Sequence, residues 1–310
     1  MLLRDLGEGS LIERIRARFR NSGVTLGIGD DAAILEFPPG HSVLCCSDLL
    51  AEDTHFIRGL HPPDSVGYKA VAVNVSDVGA MGGTPMHFMI SLAAPGDLNL
   101  EWIDGFYDGV ARACREFEVS LVGGDSSSAN SIFVDVAMIG RVPAGGAVRR
   151  AGAQIGDGVF VSGHLGSSIH GLKLLRDGNL DVPAVQRHLY PRPRHRVGAA
   201  VASRAHAMID VSDGFSTDLG HILTESKVAA RVYKDRIPAA PGATDDEMLH
   251  GGEEYELIIT AASLPASIDD VTLTRVGEIV PSTDEHRILL VDGPDETVLV
   301  PKGWQHFPAK

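Results

Sequence analysis

The chain has 310 residues and a formal net charge of −14, with an isoelectric point near 5.3. That balance excludes a nucleic-acid-binding or anionic-membrane surface as its working face. Hydrophobic residues make up 44%, enough for two ordinary domains or one large one and too many for a disordered chain. Three cysteines, two of them adjacent at Cys45 and Cys46, form no disulfide framework and point to a reducing, cytoplasmic setting. The early charges of Met1 to Ser10 do not make a signal peptide. No apolar run reaches the roughly 18 residues of a spanning helix, so no membrane partner is expected. Neither a Cys-x-x-Cys pair nor a His-x-x-Glu-His pattern is present, so the histidines suggest no zinc site.

In chain order, Ser10 is expected to cap a helix running to about Arg20, with Leu11, Ile15 and Phe19 on one face. The bend Gly27-Ile28-Gly29-Asp30-Asp31-Ala32-Ala33 follows, then a short strand over Ala33–Phe37 turned back by Pro38-Pro39-Gly40. Val43–Asp48 reads as a strand buried on both faces, and the segment leaving it carries Glu52, Asp53 and His55. Ser65 opens a helix over Val66–Met81, rich in Ala and Val, that Gly82-Gly83-Thr84-Pro85 stops. His87–Ala94 is a strand, and Glu101–Phe117 is an amphipathic helix with Trp102, Phe106, Val110, Cys114 and Phe117 on one stripe. Val119–Gly123 and Ile132–Val142 are strands flanking a Gly-Gly-Asp-Ser-Ser-Ser loop.

Between Pro143 and Gly158 the composition shifts to Gly, Ala and Arg, which places a domain boundary there and divides the chain into 1–145 and 146–310. Beyond it the pattern predicts a strand at Gly158–Ser162 and a helix from the Gly163–Ser168 loop through Leu175. A helix over Arg194–His206, a strand at Met208–Val211 and a helix over Ser216–Ser226 follow, Asp218 lying in the first turn of the last. Val228–Val300 reads as short strands and turns with one more glycine–acid junction, Gly251-Gly252-Glu253-Glu254-Tyr255. Two halves that each mix strands with helices make an α+β protein of two α/β domains rather than one doubly wound sheet.

One grammar recurs along the chain: an apolar run ends in an acid beside Gly or Ser. It ends at Asp48, Asp77, Asp125 and Asp213, and the GIGDDAA bend adds Asp30 and Asp31. Adjacent carboxylates repel, and burying them requires a cation or a proton between them. Asp77 sits with Asn74 and Ser76 inside an otherwise apolar helix, a costly placement unless a cation or partner satisfies it. Gathered at strand ends, such acids suggest a multi-metal oxygen-ligand site, with Mg²⁺ the first choice. Gly27-x-Gly29-x-x-Ala32 also fits a loose dinucleotide fingerprint. Asp30 and Asp31 argue against that reading, because they would face a pyrophosphate that needs N–H groups and positive potential. Phosphoryl transfer asks for charge neutralisation and alignment, which Asp-held Mg²⁺, glycine loops and arginines such as Arg149 and Arg150 can supply. There is no Gly-Lys pair for a Walker A loop and no His-Arg-Asp or Asp-Phe-Gly signature, so an ATP site here must be of another kind.

The set GIGDDAA, SDLLAEDTHF, YKAVAVNVSD, GGD, IDVSDG and GGEEYEL, in that order from about Ser10 to the KGWQHF tail, resembles the thiamine-monophosphate kinase family of the aminoimidazole-ribonucleotide-synthetase-like superfamily. The resemblance implies an N-terminal sheet domain that forms a homodimer and a larger C-terminal α/β domain. ATP would bind in a groove between them. It implies Mg²⁺-dependent transfer of the ATP γ-phosphoryl to thiamine monophosphate, directly and in line, giving thiamine diphosphate. Carried across by position, it makes Asp31, Ser47, Asp48, Asp77, Asp125, Asp210 and Asp213 the metal-binding set, with Asp31, Asp77 and Asp125 the catalytic core. It puts Tyr107, Gly124, Asp125, Arg150 and Ser212 on the nucleotide and His55, Glu253 and Trp304 on the thiamine phosphate.

Two positions depart from the family pattern. Cys46 stands where a Ser or Thr is usual, and a thiol is a poor Mg²⁺ ligand, so its backbone carbonyl serves or that contact is lost. Asp53 adds a negative charge two residues before His55. The alternatives are a sibling ATP enzyme, of the aminoimidazole-ribonucleotide synthetase or selenophosphate synthetase type, and a non-catalytic protein that binds Mg²⁺ and nucleotide for regulation. The first cysteine lies in a predicted strand rather than an N-terminal glycine loop, which disfavours selenophosphate synthetase, and no core acid is missing.

Overall fold

The structure is a computed structural model that describes residues 1–19, 24–28, 32–180, 182–282 and 287–305. Contacts divide it into two compact units: Met1–Val78 with Thr84–Gly145, and Gly79–Gly83 with Gly146–Lys310.

The first unit begins with α1 (Leu3–Leu6) and α2 (Glu8–Arg18), continues through β1 (His41–Ala51), α3 (Pro63–Ala80), β2 (Thr84–Ala94) and α4 (Leu100–Phe117), and ends with β3 (Ser120–Ser128) and β4 (Phe133–Pro143). Its sheet has the order β1-β4-β2-β3, antiparallel except for the β2–β3 pair, whose strands α4 connects. One face of that sheet is covered by α3. On β4, Val134, Val136, Met138 and Val142 point into this core while the alternate residues do not. α3 and α4 pack backbone to backbone: a Cβ added at Gly109 would overlap the Asp64 carbonyl, and one at Gly67 the Phe106 carbonyl. α4 starts on Asn99, whose side chain accepts from the Glu101 N–H, and ends at Glu118 in the left-handed region. Its buried face carries Trp102, Phe106, Val110 and Phe117 as expected and adds Ile103, Tyr107 and Ala113.

Several expectations for this unit are corrected. α2 starts at Glu8, with Ser10 inside it rather than capping it, and ends at Arg18; Arg20 lies outside the described residues. Ala33–Phe37 forms no strand, only an isolated bridge between Leu26 and Ile34. β1 is not buried on both faces, for Val43 and Leu49 are each 49% exposed. The Gly-Gly-Asp-Ser-Ser-Ser stretch is not a loop but the second half of β3, pairing with Met89–Ala94 of β2.

The second unit comprises β5 (Gly158–Ser162), α5 (Ser167–Arg176), α6 (Pro183–Leu189), α7 (His195–Val201), β6 (Ala207–Asp210), α8 (Phe215–Ser226) and β7 (Ala229–Tyr233). α9 (Asp245–His250), β8 (Leu257–Ala261), β9 (Ser267–Ile268), β10 (Val271–Val280), β11 (Ile288–Asp292) and β12 (Asp295–Leu299) complete it. Its sheet runs β12-β11-β7-β10-β5-β8-β6, with β9 pairing β10 at the side. The three strands β5, β8 and β6 are buried along their whole length. Alternation divides them between two cores. Val159, Val161, Ile209 and Ile258 meet Phe215, Leu219 and Ile222 of α8, while Phe160, Met208, Leu257 and Ile259 meet Val197 and Val201 of α7. The expected Arg194–His206 helix is confined to α7, because Ala202–Arg204 turn away. The helix α9 was not anticipated in a stretch read as strands and turns. Its start is a capping box between Thr244 and Glu247.

Candidate functional site

In the first unit a cavity of about 690 Å³ opens between α2 and the β2–β3 half of the sheet, lined among others by Ile12, Arg16, Ser91, Tyr107, Gly124 and Asp125. Three of the expected nucleotide contacts therefore share one wall system. Gly124 is there for a steric reason: at φ +155°, a Cβ would run into the carbonyl of Ile90 on β2, so only glycine permits this close parallel approach. Asp125 stands opposite Ser91 in the same ladder, its Oδ2 accepting from Ser127 Oγ at 3.2 Å. Tyr107 is 4% exposed, and burial pushes its phenol well above the ordinary range, so it keeps its proton as a donor. The helix α2 is tied to α4 by Arg14 to Asp104 and Arg18 to Asp108.

Ser47 and Asp48 lie next to each other on β1 and so point to opposite faces. Ser47 Oγ donates to Asp135 Oδ1 at 2.7 Å, a partner that no sequence motif announced. On the helix-covered face, the Cys46 thiol is directed at Asn74 of α3, 3.6 Å from its carbonyl and 3.7 Å from its side-chain oxygen. This explains how a thiol and the buried Asn74 coexist: each meets the other, and the Asn74 amide also donates to the Ala70 carbonyl. Asp77, half-buried, is one turn further along α3. His55 sits in the turn after β1, where Nδ1 accepts the Ala51 N–H at 3.0 Å; in the neutral ring the proton is then on Nε2, a donor suited to a phosphate oxygen. Asp53 takes φ +66° in that same turn. Asp31 lies outside the described residues. Among the described residues, Asp48, Asp77 and Asp125 do not gather as a set of three with their carboxylates within 4.8 Å of one another.

In the second unit the expected residues come together through the backbone. β6 ends at buried Asp210 and passes through Val211, Ser212 and Asp213 into α8. The Ser212 carbonyl accepts from Glu253 N–H at 2.7 Å, and the Asp213 carbonyl accepts from Trp304 N–H at 3.1 Å. Three motifs far apart in sequence thus meet at one loop, and the Trp304 side chain there is 53% exposed. Glu253 and Tyr255 take φ +59° and +53°, left-handed conformations that non-glycine residues rarely adopt and that concentrate at ligand clamps. Arg150 is exposed, its carbonyl accepting from Ser226 Oγ.

Asp218, read from sequence only as a favourable charge in a first turn, has a larger part. Its Oδ2 accepts the N–H groups of Asp213 and Gly214 at 3.1 and 3.0 Å, which holds the loop at the mouth of α8. Burial, with the charges of Asp210 and Asp213 next in weight, raises its pKa well above the ordinary carboxylate range. Asp213, Asp218 and His221 bring ligand atoms within 4.8 Å of one another. Sequence reasoning also missed the ion-pair centre beneath the Gly251–Glu256 segment. Glu256 is buried and receives Arg187 at 2.6 Å, Arg194 at 2.6 and 2.7 Å and Ser162 Oγ at 2.5 Å. Nothing in the spacing of those arginines signals it.

Comparison with known proteins agrees with this architecture. Residues 29–142 match the N-terminal domain, and residues 154–285 the C-terminal domain, of AIR synthase related protein. The chain is therefore a two-domain protein of the AIR synthase-related class. Within that class it is 35% identical to the thiamine-monophosphate kinase of Aquifex aeolicus (strain VF5) over 99% of this chain and 100% of the relative. The crystal structure of thiamine-monophosphate kinase from Stenotrophomonas maltophilia K279a superposes with a TM-score of 0.79 at 36% identity, covering 90% of this chain and 95% of that one. The structure of AaThiL complexed with AMPPCP and TMP gives 0.79 at 34% identity and 99% coverage of both chains. This chain belongs to the thiamine-monophosphate kinase family.

Proposed function

We propose that this chain transfers the γ-phosphoryl group of ATP to thiamine monophosphate, in line and without a phosphoenzyme, giving ADP and thiamine diphosphate. The observation that carries the reading is the meeting of Ser212, Asp213, Glu253 and Trp304 at one loop. There backbone bonds bring together segments that carry an exposed indole for stacking, a carboxylate for a cationic or amino-bearing ring and the Ser212–Asp213 loop. A related structure holding AMPPCP and TMP supports the same pairing of ligands.

The donor set suits Mg²⁺. Every side-chain ligand proposed, Ser47, Asp48, Asp77, Asp125, Asp210 and Asp213 with Asp31, offers hard oxygen. Half-buried Asp77, whose neighbours along the helix are buried, fits a ligand better than a core residue. Bound there, Mg²⁺ supplies charge neutralisation and aligns the phosphate oxygens. The chain's own groups do the rest. Tyr107, the Gly124–Asp125 strand, Arg150 and Ser212 hold the nucleotide, and His55 Nε2 donates toward the substrate phosphate. Glu253 and Trp304 orient the thiamine moiety. Orienting two phosphates for in-line attack is the larger part of phosphoryl-transfer catalysis.

A homodimer through the first unit's sheet is supported by its open face. Val43 and Leu49 of β1 and Phe133 of β4 share that face and are 49, 49 and 39% exposed, an apolar surface of the kind partners cover. Among the described residues no helix is long and apolar enough to cross a membrane. The free cysteines Cys45, Cys46 and Cys114 suit a cytoplasmic location. The test is ADP release from Mg²⁺-ATP with thiamine monophosphate, free thiamine or formylglycinamidine ribonucleotide as acceptor, the product identified directly. Thiamine diphosphate formed only from the monophosphate is the expected result; turnover with the ribonucleotide alone would move the protein to the sibling reading.

A further inference from the structure

Beneath the proposed thiamine site lies a buried polar chain that metal and nucleotide binding do not use. His188 of α6 is 2% exposed. Its Nδ1 is 2.9 Å from Ser168 Oγ and 3.5 Å from Glu253 Oε2, within ion-pair range, where the Glu253 side chain is 27% exposed. Ser168 Oγ is the near hydrogen-bond partner of Nδ1, and the Glu253 carboxylate stands at ion-pair distance from the same nitrogen. Ser168 is itself pinned: its N–H donates to Glu254 Oε1 at 2.8 Å, and Glu254 is 0% exposed. Arg187, the neighbour of His188 on α6, donates to the Glu254 carbonyl at 3.1 Å and to Glu256 at 2.6 Å.

The strained backbone at Glu253 gives this chain a purpose. A glutamate at φ +59° on a glycine-rich segment has its Cα set by the bond to Ser212, and its carboxylate, three bonds further out, reaches ion-pair distance of His188. We infer that His188, backed by Ser168, is a positioning residue that fixes the Glu253 carboxylate for the substrate's amino-bearing or cationic ring. This rests on the reading of Glu253 as a substrate contact. Preorganising an acceptor lowers the entropy lost on binding, so the effect falls on the ring-bearing substrate and not on the nucleotide.

The test is steady-state kinetics with both substrates varied, on the full chain. His188→Leu is expected to raise KM for thiamine monophosphate about tenfold, with KM for ATP and kcat within about twofold of wild type. His188→Asn, whose amide can replace the Nδ1 donor, recovers most of the loss. Ser168→Ala shifts the same KM in the same direction by about threefold. Because His188 acts through Glu253, Glu253→Gln combined with His188→Leu should be no worse than Glu253→Gln alone. Multiplying effects in that double variant, or equal rises in both KM values, overturn the inference. So does collapse of folding in both His188→Leu and Ser168→Ala, which would make the chain simple core. A wild-type protein without turnover on thiamine monophosphate is a separate result: it removes the parent reading, and the inference falls with it.

Discussion

The two units hold their acids in different settings. In the second unit three buried carboxylates outside the proposed ligand set are answered within the protein. Glu256 has two arginines and a serine, Asp218 has two backbone N–H groups, and Glu254, pushed up to about 8 by burial, answers its charge by keeping its proton. In the first unit, Asp48, Asp77 and Asp125 lie on the two sides of a sheet whose face is partly open, and among the described residues no arginine pairs with Asp125. Acids satisfied from within build a rigid clamp. The first unit's acids have interactions of their own and are proposed in addition as cation ligands.

Experiments can break or sharpen that contrast. The largest effect is expected from Asp77→Asn, which removes a charge without changing volume: turnover should fall by at least about 1,000-fold while the melting temperature stays near wild type. Unfolding under conditions that leave wild type intact would make Asp77 a structural acid like those of the second unit. Glu256→Gln should do the reverse. It leaves Arg187 and Arg194 as two largely buried guanidinium groups without their carboxylate and should cost about 3–5 kcal/mol of stability, seen in chemical denaturation. Trp304→Ala, at an exposed side chain, should raise KM for thiamine monophosphate about tenfold and spare KM for ATP; an equal change in both would count against stacking.

The smallest effect is on pH dependence. Glu254 has its pKa raised by burial and by Glu256, against the pull of Ser168 and Arg187. The folded state thus holds a proton that the unfolded state releases. The stability this contributes is full below the ordinary glutamate pKa and is lost as pH rises through about 8. Melting temperatures at pH 5, 7 and 9 should therefore decline in wild type and decline less in Glu254→Gln, which stays neutral throughout. Asp218 adds a slope of the same sign to both proteins, so the difference between them isolates Glu254. Parallel curves would show that Glu254 is ionised in the fold.

The sequence made some of this architecture plain and concealed the rest, for physical reasons. α4 was legible because its stripe and cap agree, and α3 because its Ala- and Val-rich run reaches up to the Gly82-Gly83 stop. The second half of β3 was hidden because glycine is depleted in strands, yet at Gly124 the closeness of Ile90 makes glycine obligatory. The open face of β1 was hidden because an apolar run looks the same whether a helix or a second subunit covers it. α9 left a signal, the Thr244-Asp-Asp-Glu247 capping box, that a run of short turns masked. Of the candidate site, the acids at strand ends could be read as oxygen donors. The contacts around the site could not, since Asp135 reaches Ser47, His188 reaches Glu253 and two arginines reach Glu256 across the fold from positions with no local pattern.

The most direct test of the contrast is calorimetric binding of a non-hydrolysable ATP analogue to wild type and to Asp77→Asn, with and without Mg²⁺. If the first unit's acids are cation ligands, wild type binds the analogue tightly only with Mg²⁺, and Asp77→Asn loses most of that Mg²⁺-dependent gain. Equal binding by wild type with and without Mg²⁺ would mean that these carboxylates are no cation site, and the central claim would fail.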